Sequence, residues 1–156
     1  MYSGMSKFKA KWQAWRALPV SERRQLLRLL MLLPMMHASL ALAGYARTRR
    51  WCERLSDRPT WQRASAQDID AARRLTELAA IAGRHGITEA SCLRQALVVS
   101  TLLRRRGLDA KLQIGVQRDG ETFGAHAWVE VGGESLQVDT RRYRALHRTA
   151  SDQRDA

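Results

Sequence analysis

The sequence predicts an α+β domain in which a central helix carrying Cys92 packs on a small antiparallel sheet, with an N-terminal helical subdomain before it. Residues 91–106 are apolar on nearly every side and end in three arginines followed by Gly107, which is typical of a buried helix and its C-terminal cap. Over residues 110–139, apolar and polar residues alternate with a period of two, which indicates strands. A chain of 156 residues is long enough to bury such a core.

The net charge of +12 is distributed unevenly along the chain. Residues 1–64 hold 13 Lys and Arg against 3 Asp and Glu, whereas residues 65–156 hold 14 against 12. A basic segment predicts an acidic partner, a membrane surface or nucleic acid, and a merely solvated basic face is the alternative. The nearly neutral second part and the lack of a recognisable motif argue against nucleic acid.

Residues 1–64 are interpreted as a basic N-terminal segment rich in apolar helix. Residues 29–46 hold no charged side chain, but this run is marginal for a membrane span of about 20 residues and is interrupted by Pro34 and His37. Arginines lie on both sides of it, so no orientation across a membrane is specified. We expect two apolar helices kinked at Pro34 and buried against the rest of the protein or a partner. Peripheral contact with a membrane is the alternative.

The second segment, residues 65–145, is predicted to form the core, and residues 146–156 a polar tail. Ser65 followed by Asp68 matches a capping box and opens a helix that runs to about Gly83. One side of this helix is apolar, which indicates a packing role.

The two cysteines, Cys52 and Cys92, form no CxxC motif and follow no secretory signal, so we expect a reducing cytoplasm and no disulfide. Cys92 falls in the first turn of the central helix whether Thr88 or Ser91 is the cap. Free N–H groups and the helix dipole there favour a thiolate and can stabilise an oxyanion. A buried, inert cysteine is the alternative for Cys92, and it is the preferred interpretation of Cys52.

Two turns define the predicted sheet. A two-residue loop at residues 119–120 would place Val116 opposite Phe123 and collect the apolar side chains on one face. A second turn at residues 132–133 would complete a three-stranded meander.

The central strand of this meander carries His126. The two loops place Asp139 directly opposite His126 on one side and Gln113 on the other. A carboxylate that holds one ring nitrogen leaves the other free for a thiol, so Cys92, His126 and Asp139 are the predicted catalytic residues. An exposed polar pair between strands is the alternative. Gln113 and Trp128 are predicted substrate contacts.

Metal chemistry is not expected, because the four histidines lack ligand spacing to a cysteine. The sequence predicts no cofactor.

Four segments resemble the transglutaminase-like cysteine peptidases of lasso-peptide biosynthesis: CLRQAL at 92–97, LLRRRG at 102–107, IGV at 114–116 and AHAWVE at 125–130. The resemblance extends over roughly residues 10–145. It implies a transglutaminase/papain-like core that cleaves the leader from a ribosomally made precursor through a thioester. By the same resemblance Cys92 is the nucleophile, His126 the general base and acid, and Asp139 the orienting carboxylate, with Glu130 as its substitute.

The resemblance also implies partners. Nothing before residue 60 has the strand pattern of the family's leader-recognition module, so a separate leader-recognition (PqqD-like) protein is expected beside the precursor peptide. The asparagine-synthetase-like lasso cyclase is a further candidate partner, and the basic N-terminal segment is the predicted docking surface. Some relatives are linked to ATP, but no GxxxxGK[ST] motif occurs here. An acyltransferase using the same triad and a non-catalytic basic adaptor are the rival interpretations.

Overall fold

A computed structural model describes residues 15–57, 61–86, 91–119, 122–137 and 143–145. These residues form three helices and four strands: α1 (Val20–Ser56), α2 (Ala66–His85), α3 (Cys92–Arg105), β1 (Ala110–Asp119), β2 (Thr122–Val131), β3 (Glu134–Ser135) and β4 (Arg144–Ala145). The predicted α+β class is confirmed, with α3 as the central helix.

The sheet is antiparallel and has the strand order β3-β2-β1-β4. The first hairpin differs from its predicted register by two residues, since Val116 pairs with Ala125 and not with Phe123. Asp119, which the prediction places in the loop, pairs with Thr122, so the loop begins one residue later than expected. A shift by two keeps every side chain on its face, and for this reason the alternation alone could not distinguish the two registers.

The second hairpin follows the predicted register at its start. Val131 pairs with Glu134 and Glu130 with Ser135, after which β3 ends and the chain bends. The predicted continuation to Asp139 lies outside the described residues. β4, which the three-stranded prediction lacks, pairs with the other edge of β1.

Helix α3 packs on the apolar face of the sheet, and α1 and α2 pack against α3 and against each other. The core is made of buried side chains from each helix and from β2, among them Leu29, Leu33, Leu75, Leu78, Val99, Leu103, Val129 and Val131. The capping box predicted at Ser65 is confirmed, with the Asp68 amide donating to the Ser65 hydroxyl over 3.2 Å. The proposed segment boundaries at residues 64 and 145 stay predictions.

The break in the long helix α1 is not where the sequence predicts it. Pro34 lies inside the helix, and the non-helical backbone is at Gly44, with φ 73° and ψ 171°. Proline only removes one hydrogen bond and crowds the preceding turn, whereas glycine alone enters this region of φ and ψ at low cost. The predicted kink at Pro34 is therefore wrong, and α1 has two arms, residues 20–43 and 45–56.

Gly44→Ala should lower the free energy of unfolding by about 1–3 kcal/mol, because the positive φ is strained for any residue with a Cβ. A Cβ at this position would meet no atom within 4 Å, so the loss would come from the backbone alone. Urea denaturation measures it. Ala38→Ser on the same helix is the control and should change stability by less than about 0.5 kcal/mol. Equal stability of the two variants would contradict a strained Gly44.

Candidate functional site

Cys92 is the first residue of α3 and follows the N-cap Ser91. The Ser91 side chain makes no capping hydrogen bond to the helix, so it leaves the first-turn N–H groups to other acceptors. Cys92 is half-buried and packs against the edge of the core. Its predicted place in the first turn is confirmed.

His126 lies on β2, directly opposite Gly115 of β1. The prediction that placed Gln113 opposite it is wrong, because the two-residue shift in register pairs Gln113 with Trp128. Because glycine has no side chain, Gly115 leaves room around the imidazole. The half-buried ring is stacked at 6.3 Å from Trp128, and Tyr143 lies at 5.0 Å from it. Two aromatic neighbours thus fix the plane of the ring.

A hydrogen bond of 3.0 Å joins His126 Nε2 and the amide oxygen of Gln137. An amide oxygen can only accept, so Nε2 is the donor in this hydrogen bond and Nδ1 remains available to a second partner. The sequence prediction gave this orienting role to Asp139, which lies outside the described residues. Gln137 was missed because pairing was extended past Ser135, where the chain bends. Gln137 lies two positions before Asp139, so strand alternation would place both side chains on the same face. This alternation was the sequence signal that could have identified Gln137.

The relation between Cys92 and His126 depends on which face of the sheet α3 covers. Ala96, Val99 and Leu103 of α3 share the core with Ala127 and Val129 of β2. His126 alternates with these strand residues and therefore points to the opposite face. Among the described residues, no hydrogen bond joins the Cys92 thiol to the His126 ring. Direct pairing of the two side chains stays a prediction, and it requires the first turn of α3 to reach the sheet edge.

Glu130 links the two predicted substrate contacts. Its carboxylate accepts hydrogen bonds from Trp128 Nε1 over 2.9 Å and from Gln113 Nε2 over 3.1 Å. Trp128 and Gln113 are only 4% and 6% exposed, so these side chains are part of the packed layer beneath the His126 ring. Their contact with substrate stays a prediction. Both carboxylate oxygens of Glu130 accept these hydrogen bonds, so the geometry does not support Glu130 as the orienting carboxylate in place of Asp139.

Glu130→Ala should lower the free energy of unfolding by about 1–3 kcal/mol, because it leaves the buried amide of Gln113 and the indole N–H without an acceptor. Thermal or urea unfolding followed by tryptophan fluorescence measures this loss. Glu134→Ala is the matched control, since it removes an exposed ion pair with Arg73 at 2.8 Å that is worth at most about 1 kcal/mol. A smaller loss for Glu130→Ala than for its control would contradict this role.

Cys52 has a different environment. It is half-buried where the second arm of α1 faces α3, and burial raises the pKa of the Cys52 thiol, although a hydrogen bond with the Thr101 hydroxyl acts in the opposite direction. A thiol that resists ionisation is a poor nucleophile, which supports its structural interpretation. In the part of the chain that the structure describes, no group of three His, Cys, Asp or Glu side chains is arranged to hold a metal ion.

Searches of curated protein sequences and of solved structures gave no significant match. A family model described as the transglutaminase-like superfamily matches residues 18–151, a range that includes Cys92, His126 and Asp139. Proteins of this fold are typically cysteine peptidases or acyltransferases. The match extends over most of the chain and agrees with the helix-on-sheet architecture. The chain therefore belongs to the transglutaminase-like superfamily.

Proposed function

We propose that this protein is a cysteine peptidase that removes the leader from a lasso-peptide precursor. The observation that carries the proposal is the placement of Cys92 at the first residue of the helix that packs on the sheet of His126, within the family match. The resemblance of residues 92–97 and 125–130 to lasso leader peptidases supports the narrower substrate class.

The reaction begins with the Cys92 thiol. His126 Nδ1 accepts its proton while sulfur attacks the carbonyl carbon of the last leader residue. The first-turn N–H groups of α3 stabilise the resulting oxyanion. Collapse of this intermediate breaks the C–N bond, and His126 returns the proton to the departing amine of the core peptide. A thioester between Cys92 and the leader remains.

Water then completes the cycle. His126 takes a proton from a water molecule while the water oxygen attacks the thioester carbonyl carbon. The C–S bond then breaks and releases the leader as a free acid. The protonated ring gives its proton back to the thiolate. The Gln137 amide holds the Nε2 side of the ring during both steps. Asp139, the orienting group that the sequence predicts, is the alternative in this role.

The partners follow from the substrate. The precursor leader is presented by a separate leader-recognition protein, and the freed amine passes to the lasso cyclase, all in the cytoplasm. The triad needs no cofactor for either chemical step.

The test is a cleavage reaction in ¹⁸O-labelled water with the precursor and the leader-recognition protein present. Hydrolysis predicts that mass spectrometry finds one ¹⁸O atom in the carboxyl of the released leader and a core peptide with a free amine. Added primary amine should not enter the product.

The rival is an acyltransferase that uses the same residues, a function common in proteins of this fold. In that case the same assay yields an amide with the added amine and little labelled carboxyl. No conversion of any lasso precursor, with Cys92 intact and the partner present, would remove the leader-peptidase proposal.

A further inference from the structure

One side of α1 carries a stripe of exposed apolar residues. Leu27, Met31, Met35 and Leu42 are 52%, 64%, 66% and 89% exposed. Their spacing of four, four and seven residues places them on a single face of the helix. The opposite face holds Leu26, Leu29 and Leu33, which are buried in the core. The stripe is thus directed away from the domain.

The second arm of α1 extends this apolar surface. Trp51 is 49% exposed and Leu55 is 69% exposed, one helical turn apart. A groove of about 220 Å³ between the arms and α3 is lined by Met35, Trp51 and Leu55 together. Met35 thus links the stripe to the second arm, and we call the stripe together with Trp51 and Leu55 the α1 outer face.

Arginines flank the apolar run of α1 at both of its ends. The helix contains seven arginines and only two acidic residues. Both acids are engaged in ion pairs, Glu22 with Arg74 and Glu53 with Arg49, each at 2.8 Å. Around Trp51, three arginines line a shallow cavity of about 300 Å³: Arg47, Arg50 and Arg54. The surface is therefore apolar at its centre and cationic at its rim.

We propose that the α1 outer face binds an anionic membrane surface, with the helix lying in the plane of the bilayer. An apolar helix face with a basic rim matches acyl chains and anionic headgroups at the interface. By length and hydropathy α1 would suffice to cross a membrane, and only 17% of its apolar window is buried. Spanning is opposed by Leu26, Leu29 and Leu33, which the core holds, and by arginines at both ends of the apolar run.

The charge pattern is what favours lipid over a protein partner. A protein groove for this face would have to supply acidic groups at both ends of an apolar strip about 22 Å long, the helical rise over the 15 steps from Leu27 to Leu42. An anionic bilayer supplies both features everywhere on its surface. The inference is independent of the proposed peptidase activity, which takes place on the sheet.

Vesicle flotation of the full chain tests the proposal, with vesicles of phosphatidylcholine alone and of phosphatidylcholine mixed with phosphatidylglycerol. We expect binding to the anionic vesicles only. Changing Arg47, Arg50 and Arg54 together to Gln should reduce the partition coefficient at least tenfold, because each arginine near such a surface contributes about fivefold. Changing Arg63, Arg84 and Arg106 to Gln removes the same charge from other exposed positions and should have a much smaller effect.

Met31→Glu and Leu42→Glu test the apolar part of the face. Both side chains are exposed, so the variants should fold, and circular dichroism checks this. Each should abolish flotation, while Ala71→Glu at an exposed position of α2 should not. Equal binding of the wild-type protein to neutral and anionic vesicles, no binding to either, or unchanged binding of Leu42→Glu would overturn the proposal. So would a dimer in solution that Leu42→Glu converts to a monomer without any vesicle binding.

Discussion

Replacing Cys92 with alanine should reduce cleavage of the precursor by about 10⁴-fold or more, the usual cost of losing the nucleophile of a catalytic triad. The thiol is half-buried at the N-terminus of α3 and makes its contacts at the edge of the core, so the smaller side chain should leave the fold intact. Single-turnover kinetics with the precursor and the leader-recognition protein measures the loss, and circular dichroism confirms the fold.

Cys52→Ala is the matched control, since it removes the only other thiol in the chain. Activity should stay within about twofold of wild type, because Cys52 lies on α1 and takes no part in the proposed reaction, and substitutions away from a site usually have small effects. Iodoacetamide labelling adds a second measurement. Burial raises the pKa of the Cys52 thiol, so Cys52 should react more slowly than Cys92 at neutral pH. Cleavage by the Cys92→Ala variant would end the thiol mechanism.

The sequence was sufficient for the architecture of the core but not for the register of the first hairpin. The period of two in residues 110–131 placed each side chain on its correct face, because alternation is a local property. The pairing of Val116 with Ala125 depends on where the loop begins, and two positions of the loop satisfy the same alternation. The kink at Gly44 was missed for a related reason. Proline is a stronger helix breaker by propensity, but Leu29 and Leu33 before Pro34 and Met36 after it pack on the core and hold the helix on both sides of the proline.

The candidate site was predictable in its residue types and less so in its contacts. Cys92 in a first turn and His126 on an inner strand follow from capping and periodicity. The partner of the imidazole depends on the bend after Ser135, which has no sequence signal of its own. The contact of Tyr143 with His126 could not be predicted either. It depends on the pairing of β4 with β1, and a strand of two residues is too short to show a pattern in the sequence. The Tyr143 ring lies 5.0 Å from His126.

His126→Ala should lower kcat by about 10²- to 10⁴-fold, the range of a lost general base, with KM nearly unchanged. Trp128→Phe is the control, since it keeps an aromatic ring stacked beside the imidazole and loses only the hydrogen bond from the indole N–H to Glu130. It should lower the free energy of unfolding by more than it raises the activation free energy derived from kcat. A His126→Ala variant with wild-type kcat would show that another residue takes the thiol proton.

Gln137 and Asp139 can then be distinguished through the same imidazole. Gln137→Leu should lower kcat by roughly 10- to 100-fold, because a ring without its Nε2 partner is misplaced relative to the thiol. Gln137→Glu should restore much of this rate, and the acid limb of the kcat–pH profile should move to higher pH. The sign follows from charge: a carboxylate beside Nε2 stabilises the imidazolium, so the basic form of the ring is lost at a higher pH as acid is added. A purely structural role of Gln137 would leave the pH profile in place. If Asp139→Asn costs more than Gln137→Leu and Gln137→Glu leaves the profile unchanged, the carboxylate predicted from the sequence is the orienting group.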